Sequence, residues 1–219
     1  HQFSIRDTKN VTPEHISRDL EQLSHITNHI RTYTVDGGMD KVPEIARRYG
    51  MTVSLGIWIS PDMEKNEQQI QLAIRTALAN RRTIDRVIVG NETQLFGYVS
   101  PDQLNAYILR VRSALPARIK ITTAEPWSTW MLTPEVGKYV DVIFVHLLPY
   151  WENVDIRGSL QSTERFYNHI QAEVPDKQIV VGEAGWPSEG RTRGNADATV
   201  ANEAWFVRAF VQLAMEKGW

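Results

Sequence analysis

Two stretches decide how this chain reads: Arg86-Val-Ile-Val-Gly-Asn-Glu92 and Gln178-Ile-Val-Val-Gly-Glu183-Ala-Gly-Trp-Pro-Ser188. Each begins with a short apolar run rich in β-branched residues, the pattern of a buried strand. Each run ends in a glutamate and then passes into loop residues. An α/β barrel places its reactive groups at the C-terminal tips of its strands. Two such tips supply the carboxylate pair that glycosidic bond cleavage uses.

Outward from these tips, strands and helices alternate along the 219 residues. Further strands are expected over residues 28–33, 52–58, 118–123 and 140–147, which with the two quoted runs make six. Helices are expected over residues 12–23, 39–49 (closed by Gly50), 65–80, 100–115, 159–173 and 200–217. Ser100 reads as an N-cap followed by Pro101, with Gln103 placed to complete a capping box. In the last helix, Val200, Ala204, Val207, Phe210, Val211 and Ala214 are expected on the buried side. Gln2–Ile5 reads as the tail of one more strand, and Trp219 falls where an eighth strand would begin. Repeated β-α units with short connections mean a parallel sheet with helices outside. The expected fold class is α/β: a (β/α)8 TIM barrel forming one domain over residues 1–219, truncated at its first and eighth strands.

Composition narrows the function. With 42% hydrophobic and 23% charged residues, the chain is globular rather than disordered. Its 24 basic and 26 acidic residues leave a net charge of −2, which gives no electrostatic reason to expect nucleic acid or an anionic membrane as partner. There is no cysteine, so disulfides, thiolate metal sites and thiol catalysis are excluded. The six histidines show no metal-binding spacing, and no Walker or dinucleotide pattern occurs, so no metal or other cofactor is implied. No apolar run approaches the roughly 20 residues of a membrane span. Seven tryptophans are many for this length; they suit either stacking on sugar rings or simple burial.

The two tips, Gly90-Asn91-Glu92 and Gly182-Glu183-Ala-Gly185-Trp186-Pro187-Ser188, resemble the signature strand ends of glycoside hydrolase family 17. Arg31-Thr-Tyr33 resembles that family's strand end near the start of the barrel, and Leu148-Pro149-Tyr150-Trp151 its Pro-Tyr element. The resemblance covers residues 12–219. It implies a retaining glycosidase on a (β/α)8 barrel, either an endo-β-1,3-glucanase or a β-1,3-glucanosyltransferase. The implied partner is a β-glucan oligosaccharide or polysaccharide. The Arg-Thr-Tyr element and Gly190-Arg-Thr-Arg-Gly194 are similar to the bacterial branch. That branch implies an extracytoplasmic location, periplasmic or secreted, with a membrane-anchored parent as one option although this chain carries no membrane segment.

On this resemblance Glu92 is the general acid/base and Glu183 the nucleophile. Retention needs the carboxyls roughly 5–5.5 Å apart, whereas inversion leaves about 6.5–9.5 Å for a water. Asn91 is expected to hydrogen-bond the sugar 2-hydroxyl; Asn is also a common turn residue. Tyr33 and Tyr150 either steady the nucleophile and bind sugar or pack at the barrel rim. Trp127, Trp151 and Trp186 are candidates for stacking on glucose rings, with Trp186 equally suited to anchoring its loop in the core. Glu125, a third strand-end carboxylate, binds a sugar hydroxyl, tunes Glu92 through like-charge coupling, or is a solvated loop acid. His146, inside an apolar strand, is expected to support the site from behind rather than touch substrate. Two other function classes fit parts of the sequence. A non-catalytic β-glucan-binding module would keep the aromatics without needing both glutamates. An aldolase or isomerase barrel is disfavoured, because no strand-end lysine or phosphate-binding glycine loop is present.

Overall fold

The computed structural model describes residues 11–219. The expected strand tail at Gln2–Ile5 lies outside them. The chain divides into two compact units. The first runs to Thr123 and takes in Lys138–Asp141; the second comprises Ala124–Gly137 and Val142–Trp219.

The first unit opens with α1 (Pro13–Ser24), started by Thr12, whose side chain accepts from the His15 N–H at 3.3 Å. β1 (His29–Arg31) pairs in parallel with β2 (Thr52–Ile57), and β2 with β3 (Ile84–Asn91). The residues between β1 and β2 were expected as one helix over 39–49. They form a 3-10 turn, the short α2 (Val42–Ala46) and a second 3-10 turn, ending at Gly50 with φ of 68°. Pro43 explains the break, since it has no N–H to continue a ladder from the preceding turn. Between β2 and β3 lies α3 (Met63–Ala79), capped by Asp62 accepting from the Lys65 N–H at 3.1 Å. Ile70, Ala73 and Ala77 form its buried stripe, whereas Leu78 is exposed. α4 (Pro101–Ala114) follows β3, with Ser100 as N-cap as its sequence predicts. Burying Ile70, Ile108, Val87 and their neighbours supplies the main drive for this unit, roughly 1.5–3 kcal/mol per large side chain.

β4 (Lys120–Pro126) begins in the first unit and ends in the second. It runs past the expected end at Thr123, so Glu125 is a strand residue and is buried. Asp141 anchors its start: one carboxylate oxygen accepts from the Ile121 N–H at 2.7 Å, and the other from Arg112 at 2.8 Å.

In the second unit the end of β4 pairs in parallel with β5 (Val142–Leu147), and β5 with β6 (Gln178–Ala184). Every residue of β5 is buried, as its continuous apolar run predicts for a strand covered on both faces. Two short helices absent from the sequence reading, α5 (Trp127–Leu132) and α6 (Pro134–Gly137), connect β4 to β5. α7 (Ser159–Glu173) packs on β5, and α8 (Val200–Lys217) on α7. The expected buried face of α8 is corrected here. Phe206 is its one fully buried residue, while Val200, Val207 and Val211 are exposed. A 3.6-residue period defines a stripe, but which stripe is covered depends on what packs against it.

The six strands expected from the sequence are thus all present and parallel to their described neighbours.

Candidate active site

In the first unit the last residues of β3 make a tight departure from the sheet. Gly90 adopts φ of 88°, and a Cβ there would sit 2.4 Å from Thr93 Oγ1. Glu92 follows at φ of 53°. A non-glycine residue with positive φ is uncommon and costs on the order of 1 kcal/mol or more, and such residues cluster at functional sites. The turn is held by its backbone: Phe96 N–H donates to Glu92 O at 3.0 Å, and Tyr98 N–H to Thr93 O at 3.0 Å. The Thr123 hydroxyl donates to Gly90 O at 3.2 Å. Glu92 is half-buried.

Asn91 is not a free turn residue. Its Oδ1 accepts from Arg31 Nη2 at 2.5 Å. The same guanidinium lies over the Tyr33 ring, 4.4 Å from its centroid. Arg31 therefore links Tyr33 and Asn91, two residues singled out from the sequence, while Tyr33 remains exposed. Arg31 itself was not among the expected site residues. The signal was available: it lies two residues before Tyr33, so both fall on one side of an extended chain.

In the second unit Glu183 lies near the tip of β6 with its side chain about one-quarter exposed. His146 on β5 stands opposite it in register. His146 Nε2 is 3.4 Å from Glu183 Oε1, and the imidazole is fully buried. Gly182 lets the two strands come close at this point: a Cβ there would lie 2.3 Å from the Phe144 ring and 3.2 Å from the His146 ring.

The aromatic candidates separate into two groups. Trp186 is buried, with its indole N–H donating to Asp197 O at 2.8 Å and its ring packed against Tyr150 and Phe206. Tyr150 is also buried, and its hydroxyl donates to Arg191 O. Both therefore belong to a core cluster completed by Ala196 and Phe206, which agrees with the loop-anchor alternative for Trp186 and the packing alternative for Tyr150 rather than with open sugar contacts. Trp151 is 58% exposed. Trp127 is intermediate: its ring stacks on Phe166 at 4.4 Å and its N–H donates to Glu152 Oε1 at 3.1 Å, so one face and its polar edge are already engaged. Glu125 lies buried in β4. The reading of it as a solvated loop acid is therefore set aside.

Each unit thus carries one glutamate at a strand tip, Glu92 after β3 in the first and Glu183 in β6 of the second. The chain belongs to the BtgE/BtgC glycoside hydrolase domain family, whose model matches residues 4–218. It is 28% identical over 195 residues to the probable beta-glucosidase btgE of Aspergillus flavus, covering 84% of this chain. It is 25% identical over 228 residues to a glucan 1,3-beta-glucosidase of Arthroderma benhamiae, covering 92% of this chain and 73% of that protein. The chain spans only 31% of the btgE protein's length. Among solved structures, it superposes with a TM-score of 0.86 on an active-site mutant of Rhizomucor miehei beta-1,3-glucanosyltransferase in complex with laminaritriose. The match is 25% identical and covers 96% of this chain and 80% of that one. The expected bacterial branch is not supported, because the related sequences are fungal. The six parallel strands agree with a truncated TIM-barrel-like fold.

Proposed function

We propose that this chain cleaves β-1,3-linked glucan with retention, passing the glycosyl unit to water or to a second sugar. Glu183 attacks the anomeric carbon and forms a glycosyl ester. Glu92, protonated, delivers its proton to the departing glycosidic oxygen. Ionised Glu92 then removes a proton from the incoming hydroxyl as the ester bond breaks. Asn91, oriented by Arg31, donates to the 2-hydroxyl of the reacting sugar. His146 keeps the Glu183 carboxylate aimed. Tyr33, Trp151 and Trp127 bind neighbouring glucose units. The fold is read as part of a (β/α)8 barrel, and the protein as one that works outside the cytoplasm, where glucan polymers are found. None of the described helices is long and apolar enough to cross a membrane.

The observation that carries this reading is the Glu92 turn. A glutamate at positive φ, in a strand-tip turn held by the Phe96 N–H to Glu92 O and Tyr98 N–H to Thr93 O hydrogen bonds, belongs to a chain whose family is that of glycoside hydrolases. The test is incubation with laminarihexaose, resolving products by mass and anomeric configuration. Shorter products released as the β-anomer are expected, with longer ones if a sugar acts as acceptor. Release of the α-anomer would overturn the double displacement. Binding without any product would favour the non-catalytic glucan-binding module.

A further inference from the structure

The Gly190–Gly194 stretch has no role in the chemistry above, yet it is fastened to the Tyr150–Asn153 loop at three points. The Tyr150 hydroxyl donates to Arg191 O. Gly194, at φ of 57°, lies so close to Asn153 that a Cβ on it would be 3.1 Å from the Asn153 Cβ. Between these two points, the Arg193 guanidinium lies over the Trp151 ring, 4.8 Å from its centroid. Arg193 is itself fixed, because its N–H and carbonyl exchange two 2.9 Å hydrogen bonds with Ala196, which is fully buried. Trp151 has a second restraint, since Tyr150 meets it edge-on at 5.4 Å and 85°. Even so, Trp151 remains 58% exposed. The indole thus has a cation over its ring and a second aromatic at right angles to it, while more than half of its surface faces solvent. Arg193 Nε is buried without a hydrogen-bond partner among the described residues, so attraction to the ring and packing hold this side chain in place.

We infer that Arg193 is a positioning residue that clamps Trp151 as a rigid sugar-stacking platform for β-glucan, so that binding costs little ordering of that ring. The inference rests on the glucan reading of the site. Immobilising a flexible side chain on binding costs roughly 0.5–1.5 kcal/mol, and a pre-held platform avoids it.

The test compares wild type with Arg193→Met, which keeps the length and apolar bulk of the side chain but removes the cation, and with Arg193→Lys. Trp151→Phe variants of each serve as optical blanks. Arg193→Met is expected to raise KM for laminarihexaose roughly three- to tenfold, with kcat and Tm nearly unchanged. The Trp151 contribution to fluorescence should become more accessible to acrylamide, and Arg193→Lys should recover part of both effects. Unchanged KM and unchanged quenching would overturn the clamp. A lower KM in Arg193→Met would also overturn it, since Arg193 would then be competing with sugar for the ring. A wild-type protein that neither binds nor cleaves laminarihexaose overturns the glucan reading and the sugar-facing half of this inference; the quenching comparison would still decide the clamp.

Discussion

The β3 tip and the β6 tip each carry a glutamate, but they hold it by different means. At β3 the backbone does the positioning: Gly90 and Glu92 both take positive φ, and main-chain hydrogen bonds lock the turn that follows. At β6 side chains do it. Glu183 stays within a regular strand, set by register against a buried histidine, and Gly182 permits the close approach. The first arrangement stores strain and resists rotation. The second depends on packing and responds to changes in its neighbours.

The largest expected contrast is catalytic. Glu183→Gln should lower turnover by on the order of 10⁴-fold on both laminarihexaose and an aryl β-laminaribioside, because both need the nucleophile. Glu92→Gln should lower turnover of laminarihexaose by on the order of 10²–10⁴-fold, yet spare most of the first step on the aryl substrate, whose leaving group needs no proton. Equal losses on both substrates would erase the distinction between the two tips.

A stability comparison comes next. Gly182→Ala forces a Cβ into the buried Phe144 ring and should cost about 1–3 kcal/mol, partly restored by adding Phe144→Leu. Gly90→Ala should cost about 1 kcal/mol through its backbone, and Thr93→Ser should not rescue it, since the hydroxyl oxygen it would meet is kept. Denaturant titrations of the four variants check both statements. Arg31→Met is expected to lower kcat/KM about tenfold, one Asn91 contact's worth, while leaving Tm within a few degrees.

The smallest effect concerns acid. The carboxylates held below their ordinary range include Glu14, Asp62, Glu67 and Asp141, all in the first unit. Hydrogen bonds from Arg110 and then Gln71 bring Glu67 to about 2. Burial pushes Asp141 up, but hydrogen bonds from Arg112 and Ile121 N–H, with the Arg112 charge, outweigh it. A lowered carboxylate stabilises the fold fully above its unfolded pKa, and that stability is lost as pH falls through the folded value. For Glu67 the window runs from about 4.5 down to about 2. Hydrogen exchange between pH 5 and 2 should therefore show the first unit losing protection, and Asp141→Asn should flatten that dependence.

Much of this was legible in the sequence because buried parallel strands are spelled in β-branched runs. All six strands and both glutamate tips follow from that signal. The misses share a different cause. Trp186 and Tyr150 look the same in sequence whether they face sugar or core, and only the covering Phe206 and Ala196 decide it. The exposed face of α8 was misjudged because its apolar residues surround most of the helix. The α5–α6 pair was missed since Trp127–Leu132 is shorter than the window over which periodicity can be read. Arg193 has no such signal in the sequence, because a guanidinium's target is set by tertiary contact.

The positive φ at Glu92 also bears on how this protein would change under selection for thermal tolerance alone. Asparagine accepts that conformation more readily than glutamate. Replacing Glu92 with Asn should therefore raise stability by about 1 kcal/mol, roughly 2–4 °C in Tm, while abolishing proton transfer. On the proposed mechanism, a screen that rewarded only heat resistance would drift toward a dead enzyme at this position, where folding and chemistry would want different residues.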